Sequence, residues 1–176
     1  MELMKVIAMR KSIRKYKSEQ ISNESLINII NAGCAAPVGM GAYDTVHITV
    51  IQNSQLLNRI ASTTATIYGR PNFDPLYGAP TLVIVSGKPN DVFPTAHVAN
   101  TACIIENMAL AATNFGIGSL YLLGIISAFT EDKELLETLH LPEDFIPVSG
   151  IVLGYPTEPL TTEKILRPTI KIDTII

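Results

Sequence analysis

The sequence predicts a one-domain α+β or α/β sandwich, with short strands alternating with long helices. Three observations carry that expectation. Apolar residues recur at helical spacing over Ser22–Ala35, Ser54–Thr66 and Thr95–Phe115. β-Branched runs at Thr45–Ile51, Thr81–Ser86 and Val148–Leu153 fall between and after them. The 176 residues are 47% hydrophobic and 16% charged, enough for one sizeable core and the reverse of a disordered composition.

Each element has a local cause. Leu3, Val6 and Ile7 stand at helical spacing and predict a short first helix over Met1–Met9. The run Arg10-Lys11-Ser12-Ile13-Arg14-Lys15-Tyr16-Lys17 follows. With Lys5 it puts six of the thirteen basic residues into the first 17 positions of an acidic protein. Such a cluster is either a solvated charged turn or a small anion site. In Ser22–Ala35, Leu26, Ile29, Ile30 and Gly33 share one side. Pro37 closes that helix, because the residue before a proline leaves the helical region. Val38-Gly39-Met40-Gly41-Ala42 reads as a flexible loop, and Tyr68–Ala79, with Pro71, Pro75 and Gly78, as irregular chain.

Thr95–Phe115 is the central helix. Val98, Ala102, Ile105, Met108, Ala109, Ala112 and Phe115 predict its inner face, and its many alanines admit other backbones closely. Gly116-Ile117-Gly118 ends it. A strand is expected over Ser119–Leu123. Thr130–Leu139 is expected to be one helix, its acidic start (Glu131, Asp132, Glu134) suited to the positive end of the helix dipole. Gly154-Tyr155-Pro156 turns the chain out of the last strand. The extended tail Thr157–Ile176 ends in Ile172, Ile175 and Ile176, which predicts packing against another surface such as a partner subunit. No repeat or linker interrupts the chain, so 1–176 reads as one domain with 157–176 as a C-terminal extension.

Composition and motifs exclude several functions. A net charge of −3 provides no global basic field for nucleic acid or anionic membrane. A mean hydropathy of +0.29 is high for a soluble monomer and suggests apolar surface buried against a second subunit. Two cysteines, Cys34 and Cys103, make no disulfide framework, which points to a reduced, cytoplasmic protein with Cys34 as a small buried hydrophobe. The N-terminus has no signal-peptide pattern. The most apolar stretch, Thr95–Leu123, is interrupted by His97, Asn100, Glu106, Asn107 and Asn114, so it reads as a buried helix rather than a membrane span.

No GxxxxGK[ST] or GxSxG motif occurs, and Gly39-Met40-Gly41 follows a helix and has Asp44 where a third glycine belongs. His47, His97 and His140 share no metal-ligand spacing and read as satisfied or surface imidazoles. Asp74 and Glu106 form no obvious acid–base pair. The chain therefore offers no catalytic set of its own, and any enzyme chemistry falls to a cofactor.

The order and spacing of six motifs, over nearly the whole chain, resemble the FMN-dependent nitroreductase family. Arg10-Lys11-Ser12-Ile13-Arg14-Lys15-Tyr16 is similar to that family's R-x-S-x-R-x-[FY], whose arginines and serine hold the FMN phosphate and ribityl chain. Guanidinium forks and a hydroxyl are good phosphate donors. Ala36-Pro37-Val38-Gly39-Met40-Gly41-Ala42-Tyr43-Asp44-Thr45 aligns with A-P-S-x-x-N-x-Q-P-W but departs from it. Val38 stands for the serine, Gly41 for the asparagine and Tyr43-Asp44-Thr45 for Gln-Pro-Trp, so Pro37 and the backbone of Val38, Gly39 and Met40 are left to line the flavin. Tyr77-Gly78-Ala79-Pro80 before Leu82-Val83-Ile84-Val85 looks like D-A-P-x-x-I-V-V. Ile105–Ala112 with Phe115–Ser119 looks like the family's dimer-core helix and its G-L-G turn, with Glu106 and Asn107 as polar groups paired inside that interface. Leu122, Leu123 and Gly124 match the segment whose N–H groups lie near flavin N5. The end of the chain resembles L-P-E, G-Y-P and R-x-P, with Arg167, or else Lys164, closing on the phosphate.

The resemblance implies an α+β, nitroreductase-like three-layer sandwich with a central, mostly antiparallel sheet flanked by helices. It implies a homodimer with FMN at the interface, NAD(P)H as co-substrate, ping-pong transfer to a nitroaromatic, quinone or related acceptor, and no protein catalytic residue or metal. A flavin storage or sensing protein without turnover, and a specialised flavin-dependent dehydrogenase of the same family, are the alternatives.

Overall fold

A computed structural model describes residues 1–176. Its organising element is β2 (Thr81–Gly87), buried along its whole length. Such a strand must be covered on both faces, and its continuous apolar run supplies both. Leu82 and Ile84 enter one core with Leu120 and Val152. Val83 and Val85 enter the other with Ile151 and Leu153.

Four strands form the sheet, in the order β1 (Val46–Ile51), β2, β4 (Ile146–Gly154), β3 (Gly118–Leu122). Every neighbouring pair is antiparallel: Val46 faces Gly87, Thr81 faces Leu153, and Gly118 faces Gly154. An isolated parallel bridge joins Ser12 to Ser119. Helices α2 (Asn23–Cys34) and α4 (Ala96–Asn114) supply one core. Helices α3 (Ser54–Ile67), α5 (Ile126–Glu131) and α6 (Lys133–Glu137) supply the other. The result is the expected three-layer α+β sandwich, with α1 (Leu3–Met9) packed on α4.

Local chemistry sets the helix starts. The Ser22 hydroxyl accepts the Ser25 N–H before α2, and the Asn53 amide accepts the Leu56 N–H before α3. Gly33 lets α2 approach α4, since a Cβ there would lie 2.8 Å from Met108 Cγ.

Several expectations are corrected. The inner face of α4 is Asn100, Thr101, Ile104, Ile105, Met108, Ala109, Ala112 and Thr113, whereas Val98, Ala102 and Phe115 are exposed. The helix is apolar nearly all round, and packing against α2 and the sheet selects a stripe rotated from the predicted one. Thr130–Leu139 is not one helix. Asp132 adopts an extended conformation (φ −114°, ψ 99°) that ends α5, and its carboxylate accepts the Leu135 N–H to start α6. Asn107 is paired within its own chain, donating to the Ala32 carbonyl at 3.1 Å. Cys34 is exposed, as is Cys103, and both are free. His97 is not satisfied, because its buried Nδ1 has no partner.

The tail is held to the body at two points. Thr157 N–H donates to Lys15 O at 3.2 Å, and Lys164 N–H donates to Ala8 O at 2.8 Å, beside a Lys5–Glu163 ion pair of 3.8 Å. Beyond Lys164, Ile165, Ile170, Ile172, Ile175 and Ile176 are exposed. No helix is long and apolar enough to cross a membrane.

Candidate functional site

The basic segment begins where α1 stops. Arg10 leaves helical geometry (ψ 122°) while its N–H still closes the last turn on Val6 O. The chain then runs along one end of the sheet, with Ile13 N–H donating to Ser119 O at 2.9 Å and Lys17 N–H to Tyr155 O at 2.8 Å. Tyr16 wedges against this end. A Cβ at Gly154 would lie 3.0 Å from Tyr16 Cδ1, and one at Gly118 would lie 3.1 Å from Tyr16 Cε1. Glycine at both positions is therefore what admits the ring. Burial pushes the Tyr16 phenol well above its ordinary value against the opposing charge of Arg14, so it stays a neutral donor to Ile13 O.

This path builds a cleft of about 390 Å³ whose lining includes Lys11, Ser12, Arg14 and Lys15, with Pro156, Thr157 and Glu158 opposite. Three cations and a hydroxyl outweigh one carboxylate, a donor set that fits a phosphate monoester. Arg14 lies over the Tyr77 ring, 6.0 Å from its centroid. Arg10 does not line this cleft. Its Nε pairs with Glu106 Oε1 on α4 at 3.3 Å. Lys164 is anchored at Ala8, in the last turn before Arg10, and Arg167 lies exposed three residues further along. The structure thus brings Lys11, Ser12 and Arg14 together, adds Lys15, and turns Arg10 toward α4.

Leu122, Leu123 and Gly124 follow on the edge strand that Ser12 bridges. Leu122 faces Gly150, Leu123 is exposed, and the Gly124 carbonyl accepts from Tyr68 Oη at 3.1 Å and Ser127 Oγ at 2.8 Å. Neither Tyr68 nor Tyr77 is an expected site residue, Tyr77 standing only in the motif that precedes β2. Both sit in the irregular segment, which Asp74 organises by accepting the Leu76 and Gly78 N–H groups at 2.8 and 2.6 Å.

Pro37, Val38, Gly39 and Met40 lie elsewhere. Val38 is buried in the α2–α4 core, while Met40 is exposed with φ +59°. The Gly39 N–H donates to Asn100 Oδ1 at 3.0 Å. This loop feeds β1, whose first residue shares a level with Gly87 and Ile146. Gly118, next to Ser119, begins the opposite edge strand and faces Gly154 at the end of β4. Eight residues of β4 separate those levels, about 25 Å along the strand. One chain therefore does not bring the Pro37–Met40 loop to the basic cleft.

Comparison with known proteins identifies the arrangement. Residues 7–155 match the sequence profile of the Nitroreductase family. The chain belongs to the nitroreductase family. It is similar to a nitroreductase from Bacteroides fragilis NCTC 9343 solved with bound FMN, at 32% identity and a TM-score of 0.81, over 99% of this chain and 100% of that one. It is similar also to a nitroreductase from Desulfitobacterium hafniense DCB-2 solved with bound FMN, at 26% identity and a TM-score of 0.84, over all of both chains. Among curated sequences it is similar to FMN reductase [NAD(P)H] of Bacillus subtilis strain 168, 26% identical over 89% of this chain and 67% of that one. The protein is accordingly an enzyme of the nitroreductase family.

Proposed function

We propose that this nitroreductase is an FMN-dependent NAD(P)H oxidoreductase acting on a small conjugated acceptor, a nitroaromatic or a quinone. The observation that carries the reading is the cationic cleft of Lys11, Ser12 and Arg14, tied through Ser12 to the start of the strand that runs on into Leu122–Gly124. The family relatives solved with FMN support it.

Lys11, Ser12 and Arg14 hold the phosphate, where charge-assisted bonds are strongest. Arg10, held by Glu106 on α4, stays outside this set, and Lys164 or Arg167 closes from the tail. Backbone groups of Leu122, Leu123 and Gly124 orient one side of the ring. Bound there, FMN supplies hydride acceptance at N5 from NAD(P)H and its return to the acceptor, the two ligands using one face in turn. No side chain of the protein is then required as an acid or base.

The protein works as a homodimer in this reading. The loop from Pro37 to Met40 leads into the end of the sheet that lies about 25 Å along β4 from the end beside the cleft, so the loop of a second copy completes the ring site. The exposed isoleucines of 157–176, an extension of the single domain, pack on that copy. Two free, exposed thiols suit a reducing, cytoplasmic compartment.

The visible spectrum of the purified protein tests the proposal. Flavin bands, release of FMN on heating and anaerobic bleaching by NADH or NADPH are the expected results. A colourless protein that takes up no added FMN overturns it. A yellow protein that neither nucleotide bleaches favours flavin storage or sensing.

A further inference from the structure

Arg14 differs from Arg10 and Arg59 in what holds it. Arg10 is paired with Glu106 at 3.3 Å, and Arg59 with Asp132 and Glu134 at 2.8 and 3.1 Å. Arg14 pairs with no carboxylate, although Glu158 lines the same cleft. Its guanidinium carbon lies instead over the Tyr77 ring, 6.0 Å from the centroid. A carboxylate would occupy the N–H donors of the guanidinium. An aromatic face attracts the cation without using them, so they stay available to a ligand in the cleft.

Tyr77 itself sits in strained backbone. Its φ is +55°, a left-handed conformation that a bulky side chain rarely adopts, and Gly78 follows at φ +74°. The neighbouring residues hold it there. The Asp74 carboxylate accepts the N–H groups on either side of Tyr77, from Leu76 at 2.8 Å and Gly78 at 2.6 Å. The Asp74 carbonyl accepts from the Tyr77 N–H at 3.2 Å. Leu76 and Ala79 are buried in the core of α3, α5 and α6. Phe73 meets the Tyr77 ring in an edge contact, with centroids 5.5 Å apart and planes at 84°. Strain kept in place by so many contacts is typical of functional positions. Tyr77 is absent from the cleft lining, so any effect it has on a ligand there passes through Arg14.

We propose that Tyr77 is a positioning residue: its ring fixes the Arg14 guanidinium at the cleft, and the protein owes part of its preference for a phosphorylated flavin to that contact. The proposal rests on the phosphate reading of the cleft given above.

The test titrates FMN and riboflavin into the full-length chain by equilibrium dialysis. Tyr77→Asn removes the ring and suits the left-handed backbone, which asparagine tolerates. FMN affinity is expected to fall about three- to tenfold, with riboflavin affinity within about twofold of the original. Tyr77→Phe keeps the ring and should bind both flavins as the original does. Adding Tyr77→Asn to Arg14→Ala should weaken FMN no further, because the ring then has no cation to hold. Tyr77→Leu, which keeps bulk without an aromatic face, is expected to show the same losses and stands in if Tyr77→Asn does not fold. An unchanged preference for FMN in these variants overturns the proposal. Equal losses of FMN and riboflavin overturn it too, since the substitution would then have damaged the segment rather than released Arg14. Wild-type protein that binds the two flavins equally removes the phosphate reading, and this proposal with it.

Discussion

The Tyr68 hydroxyl donates to the Gly124 carbonyl at 3.1 Å, joining the end of α3 to the loop that leaves β3. The approach is close enough that a Cβ at 124 would fall 2.9 Å from Tyr68 Oη. Gly124→Ala should displace Tyr68 and loosen the loop while leaving the fold intact, because the obstacle is the end of a side chain. FMN retention is expected to drop with little change in thermal midpoint. Adding Tyr68→Phe should cost nothing more, since the bond is already broken. Additive losses in an FMN titration would show that the two residues act separately.

The basic cleft makes a prediction about ligand discrimination. Arg14→Ala should weaken FMN by roughly 10–100-fold, the loss of one charge-assisted contact to phosphate. Riboflavin, which has no phosphate, should bind the variant as it binds the original. Arg167→Ala should shift FMN in the same direction. A doubly substituted protein that purifies fully yellow would remove the phosphate site from Lys11, Ser12 and Arg14.

Gly150 sits mid-strand in β4 where three neighbours converge. A Cβ there would meet Ile125 Cδ1 at 2.8 Å, Ile84 Cδ1 at 3.1 Å and the Val83 carbonyl at 3.2 Å. One of those is backbone in the central strand and cannot give way. Gly150→Ala should destabilise the fold by about 1–3 kcal/mol, the usual cost of overpacking. A chemical denaturation midpoint equal to the original would contradict this.

Asp132 makes stability sensitive to acid. The Leu135 N–H first, and Arg59 second, hold its carboxyl below the ordinary carboxylate range. Its contribution is therefore fully present above the unfolded-chain value and fades as pH falls through the lower folded value. Asp132→Ala should unfold at lower temperature near neutrality, with the gap closing in acid. A gap that is constant or widening as pH falls would mean that another carboxylate governs the acid limb.

How much was legible from sequence varies by element, for physical reasons. The two-faced burial of β2 was written in Leu82–Val85, because a continuous β-branched run allows little else. The cleft was legible as the motif Lys11-Ser12-Ile13-Arg14, since its members are neighbours in the chain. The stripe of α4 was not, because a helix apolar on nearly every side leaves two adjacent faces equivalent until α2 chooses between them. The break at Asp132 had a signal that went unused: aspartate is a good helix N-cap, and it stands three residues before Leu135. Arg10–Glu106 and Gly39–Asn100 join residues from distant segments, and local pattern says nothing of such pairs. Cys34 is exposed although its neighbour Gly33 is buried, a one-residue difference at the end of a helix that composition does not resolve.

The anchor at Lys164 also sets a reach. Twelve residues follow it, and fully extended they span about 40 Å, close to the diameter of a domain of this length. In the dimer proposed above, a strap of that length would reach the far side of the neighbour rather than stop at its near edge. Two such straps, one from each copy, would have to release together before the copies part. Exchange between differently labelled protein samples would then be slow even where the equilibrium affinity is modest, and its rate would follow the tail rather than the helix faces between the bodies.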